Sequence, residues 1–198
     1  MKRLFLLFLL AMAAMGQKPL DLVVIVEPVE WGDSAGKVSR TSEELKLRPE
    51  DRVGVVELIG APKIKSKLGE GKTNIGMRWR PTFRFGAASV GQPEPVARIY
   101  DAIELATRML PDEYDPARQR AILLITADEE MGSKVKLGDV QAALKASQAR
   151  VMALAVPADP TRRQRGVSVK TLVEDAGGSF ATLNGVASVN AGIEKLRR

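Results

Sequence analysis

The chain has 198 residues, 30 Lys and Arg against 24 Asp and Glu, and neither His nor Cys. At 45% hydrophobic and 27% charged it reads as one globular domain that buries a full core without staples. The two missing residue types exclude disulfides, thiolate nucleophiles, iron–sulfur clusters, Cys-ligated zinc and every Ser-His-Asp or Cys-His mechanism. Among metals, only a hard oxygen-ligated cation such as Mg²⁺ or Ca²⁺ suits what remains.

The amino terminus opens with Lys2 and Arg3, then eleven apolar residues over 4–14, then small residues and Gln17-Lys18. This is the order of a secretory signal peptide, and the apolar run is too short to span a bilayer. Residues 1–16 are expected to be the leader and 17–198 the domain, with cleavage after Ala13 or Gly16. A periplasmic or secreted protein follows, with membrane contact through export only. Losing Lys2 and Arg3 leaves a net side-chain charge of +4, mild for a nucleic-acid binder.

Residues 21–27 (DLVVIVE) form a continuous apolar run, predicting a strand buried on both faces. Residues 28–42 read as a polar loop, and 43–47 as a helical turn stopped by Pro49. Residues 52–59 (RVGVVELI) predict a second strand. The stretch 60–92 yields no clear element, apart from alternation in 78–85 (RWRPTFRF) that suggests an exposed ribbon. Helical spacing runs from Pro95 to Leu110 through Val96, Ile99, Ile103 and Ala106. Residues 120–126 and 150–156 predict two further buried strands, with a helix over 137–147 between them. A helix over 169–176 ends at Gly177-Gly178, a short strand follows over 179–183, and a helix over 186–196 closes the chain. The alternation indicates an α/β layered fold with a mainly parallel central sheet.

Three motifs suggest chemistry and lack its supporting parts. Residues 32–36 (GDSAG) fit a nucleophile elbow, but the preceding strand ends about five residues too early and there is no His. Ser34 and Lys37 fit S-x-x-K without the companion S-D-N and K-T-G elements, so a Ser-Lys hydrolase stands only as an alternative. Residues 66–73 (SKLGEGKT) miss a phosphate loop at Ser66 and lead into a stretch that reads as extended rather than helical. No catalytic residue and no cofactor is therefore assigned.

Five segments in order carry a family resemblance: the strand from Leu20, residues 47–56 (LRPEDRVGVV), 99–103 (IYDAI), 120–130 (RAILLITADEE) and 172–178 (LVEDAGG). Together they resemble the von Willebrand factor A domain, in the type found in exported bacterial proteins, over about residues 20–197. The resemblance implies a three-layer, Rossmann-like fold with helices on both faces of the sheet. It also implies a non-enzymatic protein-binding domain that usually holds a cation at the sheet top. The residues aligned with the family's ligand positions are Glu27, Val29, Trp31, Ala97 and Ala127, of which only Glu27 carries a coordinating oxygen. No metal is expected here. The alternative is a cation-dependent adhesion module using Glu27, Glu30 and Asp128. The expected binding surface is the sheet-top loop cluster of Glu27, Glu30, Trp31, Arg98, Asp128, Glu129 and Glu130, with Trp31 as anchor and a protein as partner.

Overall fold

The computed structural model describes residues 18–27, 46–70, 97–156, 166–184 and 186–198. The elements are β1 (Leu20–Val26), β2 (Arg52–Ile59), β3 (Ala61–Ser66), α1 (Ile99–Met109), β4 (Gln119–Thr126), α2 (Leu137–Ser147), β5 (Arg150–Ala155), α3 (Lys170–Asp175), β6 (Ser179–Thr182) and α4 (Val186–Leu196). They build a six-stranded sheet in the order β3-β2-β1-β4-β5-β6. All pairings are parallel except β2 with β3. No described helix is long and apolar enough to cross a membrane.

β1 lies at the centre, which is why its apolar run is unbroken and every one of its seven residues is buried. The two-residue period then sorts its side chains between two cores. Leu20, Leu22, Val24 and Val26 join Leu123, Ile125 and Leu154 under Val189, Ile193 and Leu196 of α4. Val23 and Ile25 join Ile122 and Leu124 under α1, α2 and α3, which contribute Ile99, Ile103, Val140, Leu144, Leu172 and Val173. Each fully buried Leu or Ile here stabilises the fold by about 1.5–3 kcal/mol.

The α/β architecture, the mainly parallel sheet and the flanking helices agree with the sequence reading. β2, α2 and α4 fall on the expected residues, β4, β5 and β6 differ by one residue at one end, and β1 and α3 by one residue at each end. Three expectations need correction. α1 starts at Ile99, with Arg98 as its cap, later than the helix expected from Pro95. Residues 61–66, left without an element, form the antiparallel edge strand β3. Lys46 and Leu47 are not helical; residues 43–45 lie outside the described segments.

Two carboxylates organise the amino-terminal end of the sheet. Asp51 is fully buried and accepts hydrogen bonds from Leu20 N at 2.8 Å, Arg48 N at 2.7 Å and Arg197 Nη1 at 3.0 Å, with Arg197 Nη2 as a further donor. Asp21 accepts from Arg52 Nε and Arg118 Nε, both at 2.7 Å. Arg118 also donates to the carbonyl oxygens of Leu20 and Glu50.

Candidate functional site

The strand order reverses direction between β1 and β4, since β2 lies on one side of β1 and β4 on the other. At such a switch point the carboxyl ends of two parallel strands part, and the loops leaving them flank a crevice. Glu27 leaves β1 there, and Ala127, Asp128, Glu129 and Glu130 leave β4. Arg98 caps α1 at the same end, where Met131 N donates to Ala97 O at 3.0 Å. Five of the seven expected surface residues are thus placed around this end of the sheet. Glu30 and Trp31 lie outside the described residues, as do Ser34, Lys37 and residues 78–85.

Internal donors engage Glu27, Asp128 and Glu130. Glu27 is 8% exposed, and its Oε2 accepts from Thr126 Oγ1 at 2.6 Å and Ala127 N at 2.8 Å. The bond from Glu27 N to Ile125 O, 2.9 Å, continues the β1–β4 ladder one step past the strand. Asp128 has φ +66°, a left-handed conformation that Asp tolerates better than most side chains. That turn aims its carboxylate across the loop, where it accepts from Ser168 Oγ at 2.8 Å and Val169 N at 2.8 Å. Asp128 thereby ties the exit of β4 to the entry of α3.

Glu130 is 7% exposed and buried rather than solvated. Its Oε1 accepts from Gly132 N at 2.9 Å and Ser133 N at 2.7 Å, and its Oε2 from Tyr100 N and Ser133 Oγ, both at 2.9 Å. Arg98 makes no side-chain cap to α1, so Glu130 and Ser133 supply that cap from another part of the chain. Asp101 returns the contact by accepting from Lys134 N at 2.8 Å and Val135 N at 2.9 Å. Burial, and then the Glu130 carboxylate, push the Tyr100 phenol pKa above its ordinary value. Glu130 and Val167 also exchange backbone hydrogen bonds, which leaves the Val167 side chain 65% exposed at this end.

Sequence reasoning found the acidic turn but missed its partners Thr126, Asp101, Ser133 and Ser168. Ser168 had a legible signal, a hydroxyl two residues before a helix, and it does accept from Lys170 N at 3.2 Å. Asp101 had none, because its partners lie more than thirty residues away; Ser133 bonds Glu130 three residues before it, but its link to Asp101 N was not legible.

The sequence matches no protein-family model and no curated protein. Among solved structures, the fold is similar to that of the conserved hypothetical protein BatB from Bacteroides thetaiotaomicron, with 17% identity, 90% of this chain and 98% of that one covered, and a TM-score of 0.58. It is similar to an aerotolerance-related membrane protein from Bacteroides fragilis NCTC 9343 with multiple mutations to serines, with 15% identity, 90% and 98% covered, and a TM-score of 0.59. Proximal thread matrix protein 1 from the mussel byssus gives 14% identity, 91% of this chain and 47% of that one covered, and a TM-score of 0.62. Another structure of that mussel protein has a zinc occupied MIDAS motif, the metal-ion-dependent adhesion site. At these identities the likeness establishes the fold, which is that of the von Willebrand factor A domain.

Of the positions aligned with the family's cation ligands, Val29 and Trp31 lie outside the described residues. Ala97 and Ala127 offer no side-chain oxygen, and Asp128, one residue further on, is turned toward Ser168 and Val169.

Proposed function

We propose that this chain is an exported, non-enzymatic interaction domain that binds a protein partner through the loops at the carboxyl end of its sheet, without a bridging cation. One observation carries the reading: Glu27, Asp128 and Glu130 are held by hydroxyl and amide donors of these loops and of the strand and helix ends beside them. Carboxylates used in this way rigidify the loops, and a rigid loop cluster is what a contact surface needs. Arg98, Val167 and Trp31 are then the contact side chains, with Val167 supplying exposed apolar surface and Arg98 charge.

The test combines a titration with crosslinking. Calorimetry with Mg²⁺, Ca²⁺ and Mn²⁺ is expected to show no heat. A photo-crosslinker at position 167, in the native host, is expected to give a discrete adduct that survives chelator, while one at Ala117 gives none. An adduct lost in chelator, or cation binding abolished by Glu27→Ala or Asp128→Ala, would restore the cation-dependent adhesion alternative.

A further inference from the structure

The β2–β3 hairpin carries two of the large aliphatic side chains most exposed among the described residues, Ile59 at 50% and Ile64 at 46%. β2 pairs with β1 as far as Glu57 opposite Val26, so Leu58 and Ile59 run past the end of the central strand. Gly60, at φ +67°, reverses the chain, a conformation that favours glycine, and Ile59 pairs with Ala61 across the turn. The hairpin tip therefore overhangs the sheet. Ile64 stands opposite Val56 and so shares its face, toward α1. Ile59 is three residues from Val56 and faces the other way. The hairpin thus exposes aliphatic side chains on both faces, Ile59 at the tip and Ile64 further along β3.

Lysines flank it. Lys63, Lys65 and Lys67 are exposed. Lys65 pairs with Glu57 at 2.7 Å, and neither Lys63 nor Lys67 has a salt-bridge partner among the described residues. The outer edge of β3 is a poor template for strand addition. Pro62 lacks an N–H, lysines recur along it, and a register shift opposite Val55 and Val56 breaks the ladder. What the hairpin offers is exposed aliphatic side chains on both faces, with Lys63 between Ile59 and Ile64 and Lys67 further from the turn. A fluid interface surrounds such a hairpin from both sides, and anionic headgroups meet the lysines.

We propose that the β2–β3 tip docks on an anionic membrane surface, with Ile59 and Ile64 entering the headgroup region and Lys63 and Lys67 contacting acidic lipid. This docking is independent of the protein contact assigned to the sheet-top loops.

The chain has no cysteine, so a single one can carry an environment-sensitive dye without competition. Ala61→Cys places the dye at the exposed tip, and Ala117→Cys on the exposed loop at the amino-terminal end of the sheet. Both full-length variants meet phosphatidylglycerol or phosphatidylcholine vesicles, or soluble polyglutamate. The expected result is a blue shift at position 61 with phosphatidylglycerol only, weakened by salt, and none at 117. In the Ala61→Cys background, Lys63→Gln and Lys67→Gln should each lower vesicle partition about five-fold, and Ile59→Ser with Ile64→Ser about ten-fold or more. All four side chains are exposed or half-exposed, so these variants should keep their melting temperature. The amino-terminal apolar segment is common to every variant, so differences belong to the hairpin. Equal shifts at 61 and 117, no shift at 61, or partition unchanged by the isoleucine pair would overturn the proposal. A shift with polyglutamate and none with vesicles would replace it with an acidic protein partner.

Discussion

Arg197 and Asp51, 146 positions apart, form an ion pair in which both side chains are fully buried. The pair fastens the last residue but one of the chain to the entry of β2. Asp51 also holds the amides of Leu20 and Arg48, so one carboxylate joins the starts of β1 and β2 to the end of α4. The fork of an arginine matches this geometry, since two nitrogens meet two oxygens. Breaking such a pair by removing one partner leaves an uncompensated buried charge, at a cost of about 3–5 kcal/mol. Arg197→Met should lower unfolding stability by that amount in urea denaturation. Arg197→Lys should recover only part of it, because an ammonium cannot make both contacts. A loss under about 1 kcal/mol in Arg197→Met would mean that the pair does not hold α4 in place.

The same residues set the acid sensitivity. Burial raises the pKa of Asp51, but hydrogen bonds from Arg197, Leu20 N and Arg48 N outweigh it and hold the carboxyl below its ordinary value. Asp21 is likewise held down, with burial opposed by Arg52 and Arg118. A carboxyl depressed in the folded state binds its proton less readily there than in the unfolded chain. Its contribution is therefore complete above the unfolded pKa, about 3.9, and is lost as pH falls through the folded value. Stability should be insensitive to these two groups near neutrality and fall steeply below about pH 4. Asp51→Asn should flatten that acid limb in chemical denaturation curves taken from pH 7 to pH 2. An unchanged slope in Asp51→Asn would place the acid sensitivity elsewhere.

These partnerships mark where the sequence stops being legible. β1, β4 and β5 could be read because strands buried on both faces must be apolar throughout, and α4 because its period is helical. β3 could not, because an edge strand with Pro62, Lys63 and Lys65 has the composition of a loop. The segment around Asp51 was noticed through its resemblance to a family pattern, yet nothing local says that its carboxylate is buried against Arg197. At the sheet top, Asp128 to Glu130 read as charged surface. The structure engages Asp128 and Glu130 in tying loops to helices, through partners that no spacing rule brings together. Local periodicity encodes burial, while long-range hydrogen bonding depends on the finished topology.

Glu130 should act as a structural residue whatever binds the surface above it. Its carboxylate accepts three amide hydrogen bonds and one from a hydroxyl, including one from the first turn of α1. Hydrogen bonds to a charged group contribute about 1.5–3 kcal/mol each, and not additively. Glu130→Ala should cost about 2–4 kcal/mol and speed hydrogen exchange at the amides of Tyr100 and Asp101. Glu130→Gln, with one oxygen in place of two, should fall between. Wild-type exchange at Tyr100 in Glu130→Ala would show that α1 does not depend on this cap.

Three glycines should respond to alanine in a definite order, set by what the new Cβ meets. At Gly178 it would stand 2.4 Å from Val151 O and 2.8 Å from Val173 O. Both are backbone atoms, one in β5 and one just before the end of α3, so neither can swing aside. Gly178 N also donates to Val173 O at 2.8 Å, which fixes the approach of helix to strand. Gly178→Ala should cost about 3 kcal/mol, at the upper end of ordinary overpacking. At Gly54 the nearest atom is Met109 Cε at 2.8 Å, the far end of a flexible side chain, but Leu68 N follows at 3.1 Å. Gly54→Ala should therefore cost about 1–2 kcal/mol. At Gly138, in the first turn of α2, nothing lies within 4 Å. There alanine restricts the unfolded chain and suits the helix, so Gly138→Ala should stabilise by about 0.5 kcal/mol. Urea midpoints for the three variants should rank Gly138→Ala above wild type, then Gly54→Ala, then Gly178→Ala. A Gly178→Ala midpoint near wild type would mean that α3 and β5 lie further apart than the structure places them.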